Sequence, residues 1–470
     1  MKPIYSLILG IATIAFVACS RPSAGFVPDS NETLSNKILI NKGYNIVFLQ
    51  NILGDDVRAD SVISDTEHIE VGLTDNGKAL MLRARPKTPH TSIVSCWIDG
   101  QRYDLITRFL LDFDLTYTYR GALIDSTSPL TFISQAFNWN PYSLPELTLN
   151  ENNEYAVRMM VSSGAYPFYL LQNGHKLLDP AAERYVNHQG DTLSVFDLHS
   201  QIGQGPILRS DRQKNHQIEL QPITEALQIY ALWGNKRLPD KFTHIRRNNI
   251  KINIPTEADS LPLSWLRLVG INGVSSSNEV IVPLNYGQVS NEVYPLPLVA
   301  ADSQRTDAYL PALNNNDFTI AHTLLLHNMH RYGDHQLLVP TNPHSSTEAL
   351  YYATAPSFSA GQSKADNPLI PTEWDEFFDH NAALAYGDFF EWQVLPRIWV
   401  YERHYFGQSV IVILNNELED CTVEVPVPKY HKESKFESLD EIPFTIEDQR
   451  LKLELKAGQS RVLVKINEEP

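Results

Sequence analysis

The sequence predicts a mainly β chain, a series of β-sandwich domains with one short mixed α/β insert before the last of them. Two observations carry this reading and a third places the insert. Apolar residues recur at period two in short runs: Leu451, Leu453 and Leu455 alternate with Lys452, Glu454 and Lys456, and Val462, Val464 and Ile466 follow with the same period. That is the pattern of a strand with one buried face. Turn-forming pairs separate such runs, among them Asp75-Asn76-Gly77, Asp99-Gly100, Asn173-Gly174, Asn272-Gly273 and Ala457-Gly458, and short strands punctuated in this way stack as sandwiches. Between 291 and 385 the chain changes to Pro, Asn and His clusters with two helical patterns.

Size and composition set the bounds. A chain of 470 residues divides into about three or four domains at roughly 100–150 residues each. Hydrophobic residues make up 43% and charged residues 20%, enough apolar surface to build cores and too little charge for a disordered chain. The formal net charge of −17 argues against nucleic acid, whose phosphates call for Lys and Arg, and is compatible with neutral partners such as sugars.

Taken in order, the first element is a targeting segment, 1–19. Lys2 gives a short positive start, and the apolar run Ile4 to Val17 is too short to span a bilayer as a helix. Phe16-Val17-Ala18-Cys19 resembles a bacterial lipoprotein signal, which implies lipidation of Cys19 and a lipid anchor in the cell envelope. Either membrane face fits, and an ordinary signal peptide with an incidental Cys is the alternative. Residues 20–37, rich in Ser, Pro and Asn, read as a linker. Cys96 and Cys421 fall in different expected domains, so neither a structural disulfide nor a metal site follows from them.

Four sandwiches follow. The first, 38–115, carries partial alternation from Lys78 to Arg85 and a further run through Phe109, Leu111, Phe113 and Leu115. The second is 116–200. The third, 205–290, has its clearest strands at Ile229 to Trp233, Ile250 to Ile254 and Val280 to Leu284. The last is 386–470. In the insert, 291–385, Asp317 is placed to cap a helix running to about Tyr332, and Thr372 to cap another whose acidic start (Glu373, Asp375, Glu376) suits the helix dipole. Apolar faces such as Leu324 to Leu326 need cover, so the insert is expected to pack between the third and last sandwiches.

The second sandwich holds the most suggestive residues. Phe137-Asn138-Trp139-Asn140-Pro141 is followed by Leu147 to Leu149, Gly164-Ala165-Tyr166-Pro167-Phe168-Tyr169, Asn173-Gly174-His175 and Asp179-Pro180. This order resembles the immunoglobulin-like carbohydrate-binding modules of family 48 and their glycogen-binding relatives. The resemblance implies an α-glucan or maltooligosaccharide as partner. Trp139 would stack on the apolar face of a pyranose, and the amides of Asn138 or Asn140 would serve its hydroxyls. The alternative is that Trp139 is a core or interdomain residue.

The flanks point the same way. Trp265 to Ser275 with Val280 to Gly287 resembles a second accessory sandwich of Bacteroidetes-type α-amylase and cyclomaltodextrinase homologues in glycoside hydrolase family 13. His380-Asn381-Ala382-Ala383-Leu384-Ala385-Tyr386-Gly387 and the run from Trp399 through Asn416 resemble that family's final barrel helix and C-terminal sandwich. Phe318 to Leu326 and Ala349-Leu350-Tyr351-Tyr352 read as remnants of the barrel's last helix and strand. A whole (β/α)8 barrel takes about 250 residues, and 291–385 supplies less than half of that. Retaining glycosidases need two carboxyl groups about 5–5.5 Å apart, and none of the family's catalytic strings occurs here, so no catalytic residue is carried over. The resemblance implies a family 13 relative without its catalytic barrel: a non-catalytic α-glucan-associated protein, with residual hydrolase or transglycosidase activity, or a purely structural role beside other glycan-processing proteins, as the alternatives. No cofactor is expected. His327, His330, Asp334 and His335, with His322 and His344 nearby, are read as a polar helix face and turn and not as a metal site, although His327 and His330 have a spacing that a metal could use.

Overall fold

The computed structural model describes residues 33–298, apart from 55–56, 111, 138, 141, 143, 145, 163–164, 183, 189–190, 198–206, 223–227, 240–249 and 273–274, and then 318, 345–354 and 374–466. The chain is mainly β, as expected. Four times in succession a larger sheet faces a smaller one across a core. The one parallel ladder between strands is Ile38–Ile40 with Gln101–Phe109; the other ladders among the described strands are antiparallel. Among the described residues no ring of parallel strands occurs.

In the first sandwich, a four-stranded sheet (Ile38–Ile40, Gln101–Phe109, Thr91–Ile98, Ser61–Ser64) covers a three-stranded one (Gly43–Phe48, Ala79–Ala84, Ile69–Thr74). Alternation assigns the faces. Leu80 and Leu82 point inward to Val94, Cys96 and Leu105, while Met81 and Arg83 point out. The run expected through Phe109, Leu111, Phe113 and Leu115 is not one strand. It breaks at Leu110, whose N–H bonds to Ile40 O, and Asp112–Tyr119 belongs to the second sandwich, paired with Tyr155–Ser162. The strand thus crosses the boundary expected at 115.

The second sandwich sets Asp112–Tyr119, Tyr155–Ser162 and Thr148–Leu149 against a five-stranded sheet built around Ala165–Gln172. Phe132, Tyr166 and Phe168 fill its core, with Phe132 and Phe168 stacked at 4.8 Å. The third sandwich centres on the paired strands Gln228–Trp233, Ser264–Asn272 and Ser275–Asn285. The last centres on Ile398–Tyr405 and Gln408–Asn415.

These central strands are buried on both faces. Val400, Ile411 and Ile413 face the last sandwich's own core, while Trp399, Tyr401, Val410, Val412 and Leu414 face a separate cluster. That cluster gathers Trp265 and Ile281 from the third sandwich with residues of the helices Ser346–Thr354, Asp375–His380 and Ala382–Tyr386. The described part of the insert therefore packs between the third and last sandwiches. Asn381 caps the last of these helices by accepting from Leu384 N–H. The expected caps Asp317 and Thr372, the run Leu324 to Leu326 and the His cluster from His322 to His344 lie outside the described residues. In the same way a face of the first sandwich packs on the third: Ile93 and Ile106 meet Tyr230, Leu232, Val269 and Ile271.

Candidate functional site: an aromatic face on the second sandwich

Trp139 is brought to a sheet face by a short loop. Strand Thr131–Ser134 ends in a single 3-10 turn, Gln135–Phe137. Trp139 then adopts a left-handed backbone, φ 58°, with its N–H bonded back to Ser134 O at 3.0 Å. A bulky side chain in that region is strained, and such strain persists where the surroundings fix it. The fixing is visible: the indole lies against Leu193 and Val195 and stacks on Tyr169, with centroids 6.2 Å apart and planes at 18°.

Tyr169 reaches this face by strand parity. Tyr166, Phe168 and Leu170 point into the core, so Tyr169 points out. Lys176, from the next strand, lies 4.9 Å from the Tyr169 ring centroid. The turn that returns Lys176 is Asn173-Gly174, both at positive φ (50° and 76°), the geometry that Asn-Gly hairpins favour. Asp179 is buried and accepts from Tyr117 O–H at 2.7 Å. Burial and this bond push the Tyr117 phenol above its usual range, so the Asp-Pro element is structural.

Trp139 is half-buried and Asn140 is exposed. Asn140 Oδ1 accepts from Tyr142 N–H at 3.0 Å, leaving its amide N–H groups facing solvent. Asn138 and Cys19 lie outside the described residues. Sequence reasoning missed Tyr169 and Lys176; the outward phase of Tyr169 between Phe168 and Leu170 was the available signal. Two near-parallel rings with an adjacent amide and ammonium can bind an amphipathic flat ligand by stacking and hydrogen bonding.

A second polar cluster joins the third and last sandwiches. Asp388 accepts from Ser210 N–H (2.9 Å), Ser210 O–H (3.1 Å) and the Asn278 amide (2.8 Å). His404 Nε2–H donates to Ser210 O at 2.8 Å, and its Nδ1 accepts from Arg209, 3.2 Å, and Ser409, 2.8 Å. That tautomer is assigned from the partners, since the Arg209 N–H can only donate. Glu402 binds His431 Nε2 (2.7 Å), Tyr430 O–H (3.0 Å) and Trp392 N–H (3.2 Å). Burial would raise Glu402, yet the His431 bond and the surrounding positive charge outweigh it and hold the carboxyl at about 2. Burial, reinforced by Arg209, lowers His404 to about 3. His404 is therefore neutral at pH 7, and its 3.6 Å approach to Glu402 is not an ion pair. These groups are enclosed and bonded to one another, with Arg209 Nε left without a hydrogen bond among the described residues, as in a largely structural network. Among the described residues no group of three or more side chains is placed to hold a metal.

No protein-family model matches the chain, and no curated protein matches it. Solved structures overlap it locally. An α-amylase from Geobacillus thermoleovorans, complexed with acarbose, shares 16% identity over 26% of this chain and 33% of its own, at a TM-score of 0.22. A debranching enzyme from Nostoc punctiforme shares 18% over 25% of this chain and 28% of its own, at 0.20. A cyclomaltodextrinase shares 15% over 26% of this chain and 25% of its own, at 0.21. The chain spans a third or less of the length of these structures.

Proposed function

We propose that the chain is a lipid-anchored, non-catalytic α-glucan-binding protein of the cell envelope, related to family 13 glycoside hydrolases. The observation that carries the binding reading is Trp139, half-buried on the outer face of the sheet, held in a left-handed backbone and stacked on Tyr169. The order of motifs from Phe137 to Pro180 supports starch-like chains as the ligand class. Lipidation at Cys19 rests on the Phe16 to Cys19 string alone.

The competing reading is interaction only, and the packing of Trp139 over Leu193 and Val195 favours it. Native electrophoresis through amylopectin separates the two. The wild-type chain should be retarded, and Trp139→Ala and Tyr169→Ala should run freely; equal migration of all three with and without polysaccharide removes the binding reading. Release of reducing ends from soluble starch by the purified chain would remove the non-catalytic part. Metabolic labelling with a radioactive fatty acid, lost in Cys19→Ala, tests the anchor.

A further inference from the structure

The junction of the first and third sandwiches contains a cleft of about 460 Å³, within the roughly 300–1,000 Å³ of small-molecule sites. Its polar wall combines Asp65, Thr66, Thr91 and Gln228 with Tyr230 and Arg237, and Pro89 and Ile271 form an apolar side. One group there calls for a ligand. Thr91 is 2% exposed and its Oγ1 has no hydrogen-bond partner among the described residues. Its direction follows from strand parity: Thr91 shares a face with Ile93, which packs on the third sandwich, so its hydroxyl points into the junction. A buried hydroxyl left without a partner is destabilising, and a hydroxylated ligand would remove that cost.

The charges narrow the ligand class. Asp65 accepts from Ile93 N–H (3.0 Å), Tyr230 O–H (3.1 Å) and Arg237 (3.2 Å). Arg237 also lies over the Tyr230 ring, 4.4 Å from its centroid. The carboxylate and guanidinium cancel, so neither an anion nor a cation is selected. What remains is hydroxyl and amide groups facing an apolar side, which is the complement of a pyranose with hydroxyls on its rim and C–H groups on its face. We propose that this cleft is a second carbohydrate site, taking a single pyranose or a disaccharide unit, and that Thr91 and Gln228 hold its hydroxyls. This site is independent of the Trp139 face and of the anchor.

The test uses the full chain carrying Trp139→Ala, so that the aromatic face is silent. Titrations with methyl α-glucoside and maltose, followed by isothermal calorimetry or saturation-transfer NMR, should give saturable binding at or below ~10 mM. Thr91→Val keeps the β-branched shape and removes only the hydroxyl; Gln228→Ala touches a half-exposed side chain and leaves the core intact. Each should weaken binding about tenfold, the loss expected for one hydrogen bond. Absence of saturable binding to either sugar overturns the proposal, and so does binding that neither substitution changes.

Discussion

Two buried histidines should make the chain acid-labile well above the range where carboxylates titrate. His404 is held at about 3 by burial and by Arg209. His90 is likewise held at about 3, by burial and then by Arg108, while its Nδ1–H donates to Phe109 O at 2.8 Å. Both start from an ordinary 6.5. Below that value the unfolded chain takes up a proton at each ring and the folded chain does not. Stability therefore rises with pH across this window and falls as the solution is acidified. Each ring loses about 1.4 kcal/mol per pH unit below 6.5, or about 2 kcal/mol by pH 5. The two rings lie in different sandwiches, so each of those two sandwiches loses about 2 kcal/mol, a substantial part of a domain stability of roughly 5–15 kcal/mol. Glu402 does not blur the window. Its folded value near 2 lies below its ordinary 4.5, so its stabilisation is complete above 4.5 and is lost only as pH falls from there toward 2.

The assay is urea unfolding followed by tryptophan fluorescence at several pH values between 8 and 5. Trp392 and Trp399 report on the last sandwich, where His404 sits. His404→Gln keeps a donor and an acceptor but does not titrate here. Its stability should fall less steeply than that of the wild type, the two curves diverging by about 2 kcal/mol at pH 5. His90→Gln should do the same for the first sandwich. Parallel wild-type and His404→Gln curves across the window would refute the reasoning, because they would show that His404 charges in the folded chain.

Further outcomes follow from single positions. A Cβ at Gly387 would lie 2.1 Å from Ala383 O, inside the helix end that Arg403 braces through Gly387 O; Gly387→Ala should cost about 3 kcal/mol or more in thermal or denaturant unfolding. At Trp139, φ 58° favours glycine, so Trp139→Gly should be more stable than Trp139→Ala by about 1 kcal/mol, and equal stabilities would contradict the left-handed backbone. Asp388→Ala leaves three donors without their acceptor and should cost about 3 kcal/mol, with cleavage by a protease between the third and last sandwiches becoming faster. Burial pushes the Cys96 thiol up to about 12, so iodoacetamide should modify the half-exposed Cys421 well before Cys96.

The fold class was legible because each outer strand keeps one phase. Leu451, Leu453 and Leu455 point inward where the period places them. The interfaces were not legible, because strands such as Ile398–Tyr405 bury both faces and then read as continuous apolar runs. Period two marks which residues share a face; it does not say which neighbour covers that face. The run through Phe109 and Leu115 misled for a related reason. Alternation continues through Leu110, and only a backbone bond to Ile40 O shows that one sandwich ends there. At the aromatic face, Trp139 was visible as part of a motif, while Tyr169 gained its meaning only from the inward placement of Phe168 and Leu170.

Both junctions combine apolar packing with directional bonds, and the buried titratable groups in them have a physical consequence. The first and third sandwiches meet through Ile93, Ile106, Tyr230, Leu232, Val269 and Ile271 and through Asp65, which accepts from Tyr230 O–H and Arg237. The third and last meet through the cluster that joins Trp265 and Ile281 to Trp399 and Tyr401 and through Asp388, Ser210, Arg209 and His404, each fixed by directional bonds. Directional bonds fix one relative orientation, whereas apolar contacts tolerate small slides. Acid should loosen the junction of the third and last sandwiches, because protonating His404 places an N–H against the Arg209 donor.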